Sequence, residues 1–199
     1  MTNRKGNPVG TYSGRMFYPL DPRPEDVYLT DIAHSLSLQC RYAGHCKWHY
    51  SVAEHSILVA RLVRYLGGSP AEQLMAYLHD SAEAYVMDLP RPLKQMKEFV
   101  FYNEIEKKIF ETIIEKYRMP FTLLPKIVEK ADDMMLATEA PQIMSGTENW
   151  TFNAEPWVVD GRRLPLLGLL PGEACSEFMA GFYLLWRQWR PKEPLPDYS

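Results

Sequence analysis

Three residues able to grip a metal ion stand where this chain's helical pattern calls for core, and a fourth sits beside one of them. His79 and Asp80 are adjacent in the stretch "YLHDSAEAYVMDLP", Glu83 follows four residues after the histidine, and Asp88 comes near its end. Spacing by three and four gives Val52, His55, Val59, Leu62 on one segment, Met75, His79, Ala82, Val86 on a second, and Val128, Asp132, Met135 on a third. An unpaired carboxylate on such a stripe is costly, so buried charges are found mainly when paired or bound to metal. Each residue alone has a plainer explanation: a core histidine, or an Asp132–Lys130 ion pair. The joint pattern points instead to two imidazoles and two carboxylates closing on one ion. That mixed N/O set suits Mn, Fe, Co, Ni or Zn better than Ca or Mg, which prefer oxygen shells. A six-coordinate ion held by His55, His79, Asp80 and Asp132 would keep places for water and a substrate oxygen.

The elements that must position these residues are helical. Ser51 and Glu54 predict a capping box opening a helix over 51–66, which Gly67 and Gly68 stop. "SPAE" predicts the next helix, with Ser69 as N-cap, Pro70 at N1 and Glu72 at N3, running to about Val86. Amphipathic helices are expected at about 98–117, on the surface, and from Pro125 to about Ala140. A last, aromatic helix is expected at 173–189. A shorter one is expected at "TDIAHSLSLQ", capped by Thr30 or Asp31. The Pro-, Gly- and Trp-rich segment 141–171 has no clear period and room for a hairpin around "WTFNAEPWVV". The chain therefore reads as one mainly α domain: an irregular arm over 1–28, a core over 29–140, loop-rich 141–171, and a C-terminal helix over 172–190.

Bulk properties remove whole classes. The 199 residues carry 46% hydrophobic side chains and a net charge of -3, so the chain has core enough for a globular domain and no global basic field for nucleic acid. No apolar run reaches membrane-spanning length, and "MTNRKGNPVG" offers no secretory h-region. Three cysteines, Cys40, Cys46 and Cys175, make no disulfide framework, and the expectation is a cytoplasmic protein. Cys40, Cys46 and His49 lack a fourth ligand nearby for zinc.

The order His55 in "YSVAEHSILVA", His79-Asp80 in "YLHDSAEAYVMDLPRP" and Asp132 in "EKADDMML" resembles the HD-domain phosphohydrolases. "AEHS", "LHDxxE" and "DLPxP", with the upstream "DIAHSLSLQCRYAGH" and the "PLDP" arm, resemble the branch of 5′-deoxynucleotidases and small phage deoxynucleoside-triphosphate triphosphohydrolases, including enzymes that remove dATP. The resemblance covers about residues 15–140. It implies an HD-type helical bundle in which His55, His79, Asp80 and Asp132 ligate a divalent transition metal. It also implies that Glu83 and Asp88 orient water or the leaving oxygen and help hold a second ion such as Mg. Arg41 and Tyr42 match the family's Arg-aromatic pair at the substrate mouth, with Tyr where the nucleotidases usually show Trp.

The expected chemistry is metal-assisted hydrolysis of a deoxynucleotide phosphoester, with Glu83 or Asp88 supplying a proton. Arg41, Lys47, Arg91 and Lys94 are the phosphate-binding candidates. They lean the reading toward a dNTP, dATP first, giving deoxynucleoside and triphosphate in a homo-oligomeric enzyme. A 5′-deoxynucleotidase attacks the same phosphorus and is the alternative; a non-catalytic nucleotide-binding HD module is the other.

Overall fold

Helical periodicity over most of the sequence becomes helix over most of the chain in the computed structural model, which describes residues 4–197. The helices used below are α1 (Leu29–Leu38), α2 (Val52–Tyr65), α3 (Pro70–Leu78), α4 (Glu83–Val86), α5 (Arg91–Lys94), α6 (Val100–Lys116), α7 (Lys126–Ile143) and α8 (Pro171–Trp189). Two short antiparallel hairpins accompany them, β1–β2 (Val9–Gly10 with Met16–Phe17) and β3–β4 (Val158–Val159 with Arg162–Arg163). The class is mainly α, as the periods require.

Helix α2 is the axis of the molecule. The pattern predicts one buried stripe, but every residue from Val52 to Ala60 is buried. The reason is tertiary: α1, α3, α7 and α8 pack around it. Helix α8 adds a face of Ala174, Phe178, Phe182, Leu185 and Trp186. It approaches α3 so closely at Gly181 that a Cβ there would sit 2.0 Å from the Tyr77 hydroxyl. Helix α6 lies outside, burying only Ile109, Thr112, Ile113 and Ile114.

Several local expectations are corrected. Helix α1 starts one residue before Thr30, with Tyr28 as its N-cap and no side-chain cap bond. Asp31 is instead drawn to the arm, accepting from the Ser13 N–H at 2.7 Å and the Ser13 hydroxyl at 2.9 Å. The arm is not wholly irregular: it carries β1–β2 and places Phe17 fully buried, stacked on Tyr85 at 3.7 Å. Its first three residues lie outside the described residues. The capping box at α3 forms in both directions. At α2 only the Ser51 half forms, because Glu54 accepts from the backbone N–H groups of Leu167 (2.9 Å), Gly168 (2.8 Å) and Leu169 (3.0 Å).

The helix expected to run to Val86 ends at Leu78. The Ser81 N–H and hydroxyl both donate to the Leu78 carbonyl, at 2.9 and 2.5 Å, and close a tighter turn before α4. The second hairpin takes the last two residues of "WTFNAEPWVV" as its first strand and turns at Asp160-Gly161, both at positive φ. That "DG" pair is the type I′ signal for a two-residue loop.

Candidate metal centre

Three elements bring the four proposed ligands together. His55 sits one turn into α2, His79 and Asp80 at the α3 end, and Asp132 two turns into α7. Ligand atoms of His55, His79 and Asp80 all lie within 4.8 Å of one another. Asp132 Oδ1 lies 3.0 Å from His55 Nε2 and 3.9 Å from His79 Nε2. Asp80 Oδ2 lies 3.8 Å from His55 Nε2 and 3.1 Å from His79 Nε2.

The protonation pattern suits ligation. The His79 Nδ1–H donates to the Ala76 carbonyl at 2.7 Å, which leaves Nε2 with the lone pair. That Nε2 is buried and makes no hydrogen bond, although Asp80 is close. A buried polar atom without a partner is the trace expected of a missing ligand. Asp80, Asp132 and the buried Glu139 bring three carboxylates against the guanidinium of Arg41, so with the two imidazoles neutral the cluster is acidic, as a cation site requires. Without an ion, the His79 imidazole is shifted up to about 9: burial opposes the charge, but Asp80 and Asp132 outweigh it. His55 is raised as well, with burial and Arg41 opposed by Glu139 and Asp132. The donor set and the charge fit a divalent transition ion.

Glu139 is the residue the sequence reading missed. It is fully buried on α7, and its carboxyl gathers five donor contacts. Oε1 accepts from Arg41 Nε at 2.9 Å, Arg41 Nη2 at 2.8 Å and the Tyr42 hydroxyl at 2.8 Å. Oε2 accepts from the Tyr50 hydroxyl at 2.7 Å and from His55 Nδ1 at 2.9 Å. Burial works against the charge, but Arg41 and His55 hold this carboxyl down at about 2. A signal was present: Glu139 lies seven residues after Asp132, on the same stripe through Met135.

Arg41 and Tyr42 are therefore at the site, tied to Glu139, with Arg41 Nη1 3.5 Å from Asp80 Oδ2. Their segment is held by the Arg41 N–H on the Tyr50 carbonyl at 2.9 Å. Tyr42 and Ala43 both have positive φ, 54° and 52°. Such backbone costs roughly 1–3 kcal/mol per non-glycine residue and clusters at functional sites. Outward from Tyr42 the rings of Trp150 and then Phe152 follow, each step 6.3 Å between centroids, and Trp150 is 41% exposed.

On the other side a cleft of about 290 Å³ is lined by His79, Asp80, Glu83, Lys94, Asn103 and Phe110, among others. Its α6 wall was not foreseen, since α6 reads as a surface helix. Glu83 Oε1 accepts from Lys94 at 2.7 Å, while Oε2 is buried without a partner. Burial first, then the Asp80 and Asp88 carboxylates, push Glu83 well above the usual carboxyl range. Gln39 sets this edge. Its side-chain N–H donates to the Glu83 carbonyl at 3.0 Å, and its oxygen accepts from the Asp88 N–H at 3.0 Å. Met87, just before Asp88, has φ 72° and ψ 155°, another strained position beside the cleft.

The basic candidates separate. Lys94 lines the cleft but is shared between Glu83 and Glu106, at 2.7 and 2.8 Å. Lys47 is exposed and donates to the Gln142 carbonyl at 3.3 Å. Arg91 is exposed at the start of α5. Neither Lys47 nor Arg91 lines the cleft. Among the described residues no helix is long and apolar enough to cross a membrane.

No protein-family profile matches the chain. Similar proteins do exist. YfdR of Escherichia coli (strain K12) is 37% identical over 180 residues, covering 87% of this chain and 93% of YfdR. RCAP_rcc00048 of Rhodobacter capsulatus is 31% identical over 191 residues, covering 88% of this chain and 93% of that protein. Both are described as uncharacterized proteins. At this identity over nearly the whole length of both chains, the protein belongs to the family of YfdR.

Proposed function

We propose that this chain is a metal-dependent phosphohydrolase of the HD-domain type that acts on deoxynucleotides. The observation that carries the proposal is the meeting of His55, His79 and Asp80 ligand atoms, with Asp132 3.0 Å from His55 Nε2 and a buried His79 Nε2 that makes no hydrogen bond. A divalent ion held there would act as a Lewis acid on a phosphoryl oxygen and lower the pKa of a water.

The chain's own residues supply the rest. Glu83, whose carboxyl is raised by burial and then by Asp80 and Asp88, is the candidate proton donor to the leaving O5′. Asp88 keeps that carboxyl high by repulsion. Arg41 keeps Nη1 toward Asp80 while its other nitrogens are fixed by Glu139, so it presents a positioned cation where charge grows in the transition state. Tyr42, Trp150 and Phe152 form an aromatic flank suited to a nucleobase.

For the substrate we propose a dNTP, dATP first, split into deoxynucleoside and triphosphate. Lys94 and Lys107 in the cleft are the cations available to the phosphate chain. One observation favours a second reading, a 5′-deoxynucleotidase: Lys94 already donates to Glu83 and Glu106, which leaves fewer of its N–H groups for a triphosphate. The test is to incubate dNTPs and dNMPs with Mn, Co, Zn, Fe or Ni and separate the products. Triphosphate from dATP supports the first reading, and inorganic phosphate from dNMPs the second. No deoxynucleoside from any pairing overturns both.

A further inference from the structure

We propose that Glu139 is the positioning residue that couples the metal ligand His55 to the substrate-side Arg41–Tyr42 segment. The inference rests on the metal-centre reading above and deepens it. The two carboxylate oxygens divide the work. Oε2 faces the metal side, taking His55 Nδ1 and the Tyr50 hydroxyl. Oε1 faces the substrate side, taking Arg41 and the Tyr42 hydroxyl. Both partners are thereby fixed to one rigid, fully buried group on α7, the helix that also carries Asp132.

The chemistry makes this a matter of tautomer as well as of packing. A carboxylate only accepts, so the His55 ring must keep a hydrogen on Nδ1, and with an ion bound Nε2 is the nitrogen left to share that ion with Asp80, Asp132 and His79. An isosteric amide would break that logic. Arg41 only donates, so in Glu139→Gln the amide oxygen is compelled to face Arg41 and the NH2 to face His55. The imidazole must then accept at Nδ1 and carry its hydrogen on Nε2, where a ligand lone pair is needed. Glu139 also holds Tyr42 by its hydroxyl while the backbone there is at positive φ, so the same carboxylate supports the strained segment.

The test measures zinc affinity of the full-length chain by chelator competition, independently of turnover. Glu139→Gln should bind zinc about 10–100-fold more weakly, the scale for removing a group that orients a metal-bound histidine. Tyr50→Phe removes a neighbouring hydroxyl from the same oxygen without touching the tautomer, and should stay within about threefold of wild type. A second measurement needs no variant: long-range ¹H–¹⁵N spectra of the zinc-loaded wild type should show the His55 hydrogen on Nδ1. Equal affinity for Glu139→Gln and wild type, an equal loss in Tyr50→Phe, or a hydrogen on Nε2 overturns the proposal. A wild type that binds no ion overturns it together with the metal-centre reading. A wild type that binds zinc but hydrolyses no deoxynucleotide overturns the proposed function and leaves the role of Glu139 standing.

Discussion

Replacing Glu54 by Gln should unfasten the loop-rich segment from the core at a cost that can be worked from the hydrogen bonds. Glu54 is fully buried beside His55, and its two oxygens accept three backbone N–H groups, those of Leu167 and Gly168 on Oε1 and that of Leu169 on Oε2. Glutamine has the same shape but one acceptor oxygen. If that oxygen keeps Leu167 and Gly168, the NH2 group meets the Leu169 N–H donor to donor. The N–H of the half-buried Leu169 then loses its acceptor, at roughly 1–3 kcal/mol, and two bonds to a charged acceptor become bonds to a neutral one, at about 0.5–1 kcal/mol each. The expected loss is about 3 kcal/mol, which for a chain of this size is ~6–12 °C in Tm. Urea unfolding at pH 8 measures the first figure. Amide hydrogen exchange locates it: protection should fall first at Leu167–Leu169, while the α2 amides keep theirs. A loss under about 1 kcal/mol with unchanged exchange at these amides would refute the reasoning, since it would mean that water already satisfies the three N–H groups.

Two further outcomes are expected. In the metal-free protein His79 titrates near 9, above its ordinary value of 6.5, so its contribution to stability is complete below about pH 6.5 and is lost as pH rises through 9. The loss is about 3 kcal/mol across that window and should vanish when the ion replaces the proton, as urea titrations at pH 6.5 and 9.5 with and without zinc would show. Trp150→Ala should raise KM for deoxynucleotides about tenfold, the scale of one lost base–aromatic stack, and leave turnover of a base-free phosphoester such as p-nitrophenyl phosphate unchanged. Equal effects on both substrates would assign Trp150 to structure.

How far the sequence reached follows from the range of the interactions involved. Period and caps are local, so the mainly α class, the α3 capping box and the surface placement of α6 were legible from residues a few positions apart. The ligand candidates stood out too, because a His or Asp on an apolar stripe conflicts with its surroundings unless something binds it, and the structure brings ligand atoms of His55, His79 and Asp80 within 4.8 Å of one another, with Asp132 3.0 Å from His55. Only the tertiary structure decided what long-range partners decide. Asp31 and Glu54 look like caps, yet each leaves its helix terminus for backbone groups distant in sequence, at Ser13 and at Leu167–Leu169. Lys94 looks like a free phosphate ligand until Glu83 and Glu106 claim it. Glu139 is an ordinary glutamate in "TEAP" until α7 packs on α2 and delivers it to His55 and Arg41. A buried charge takes whichever partner folding brings within about 3 Å, and no local pattern records that choice.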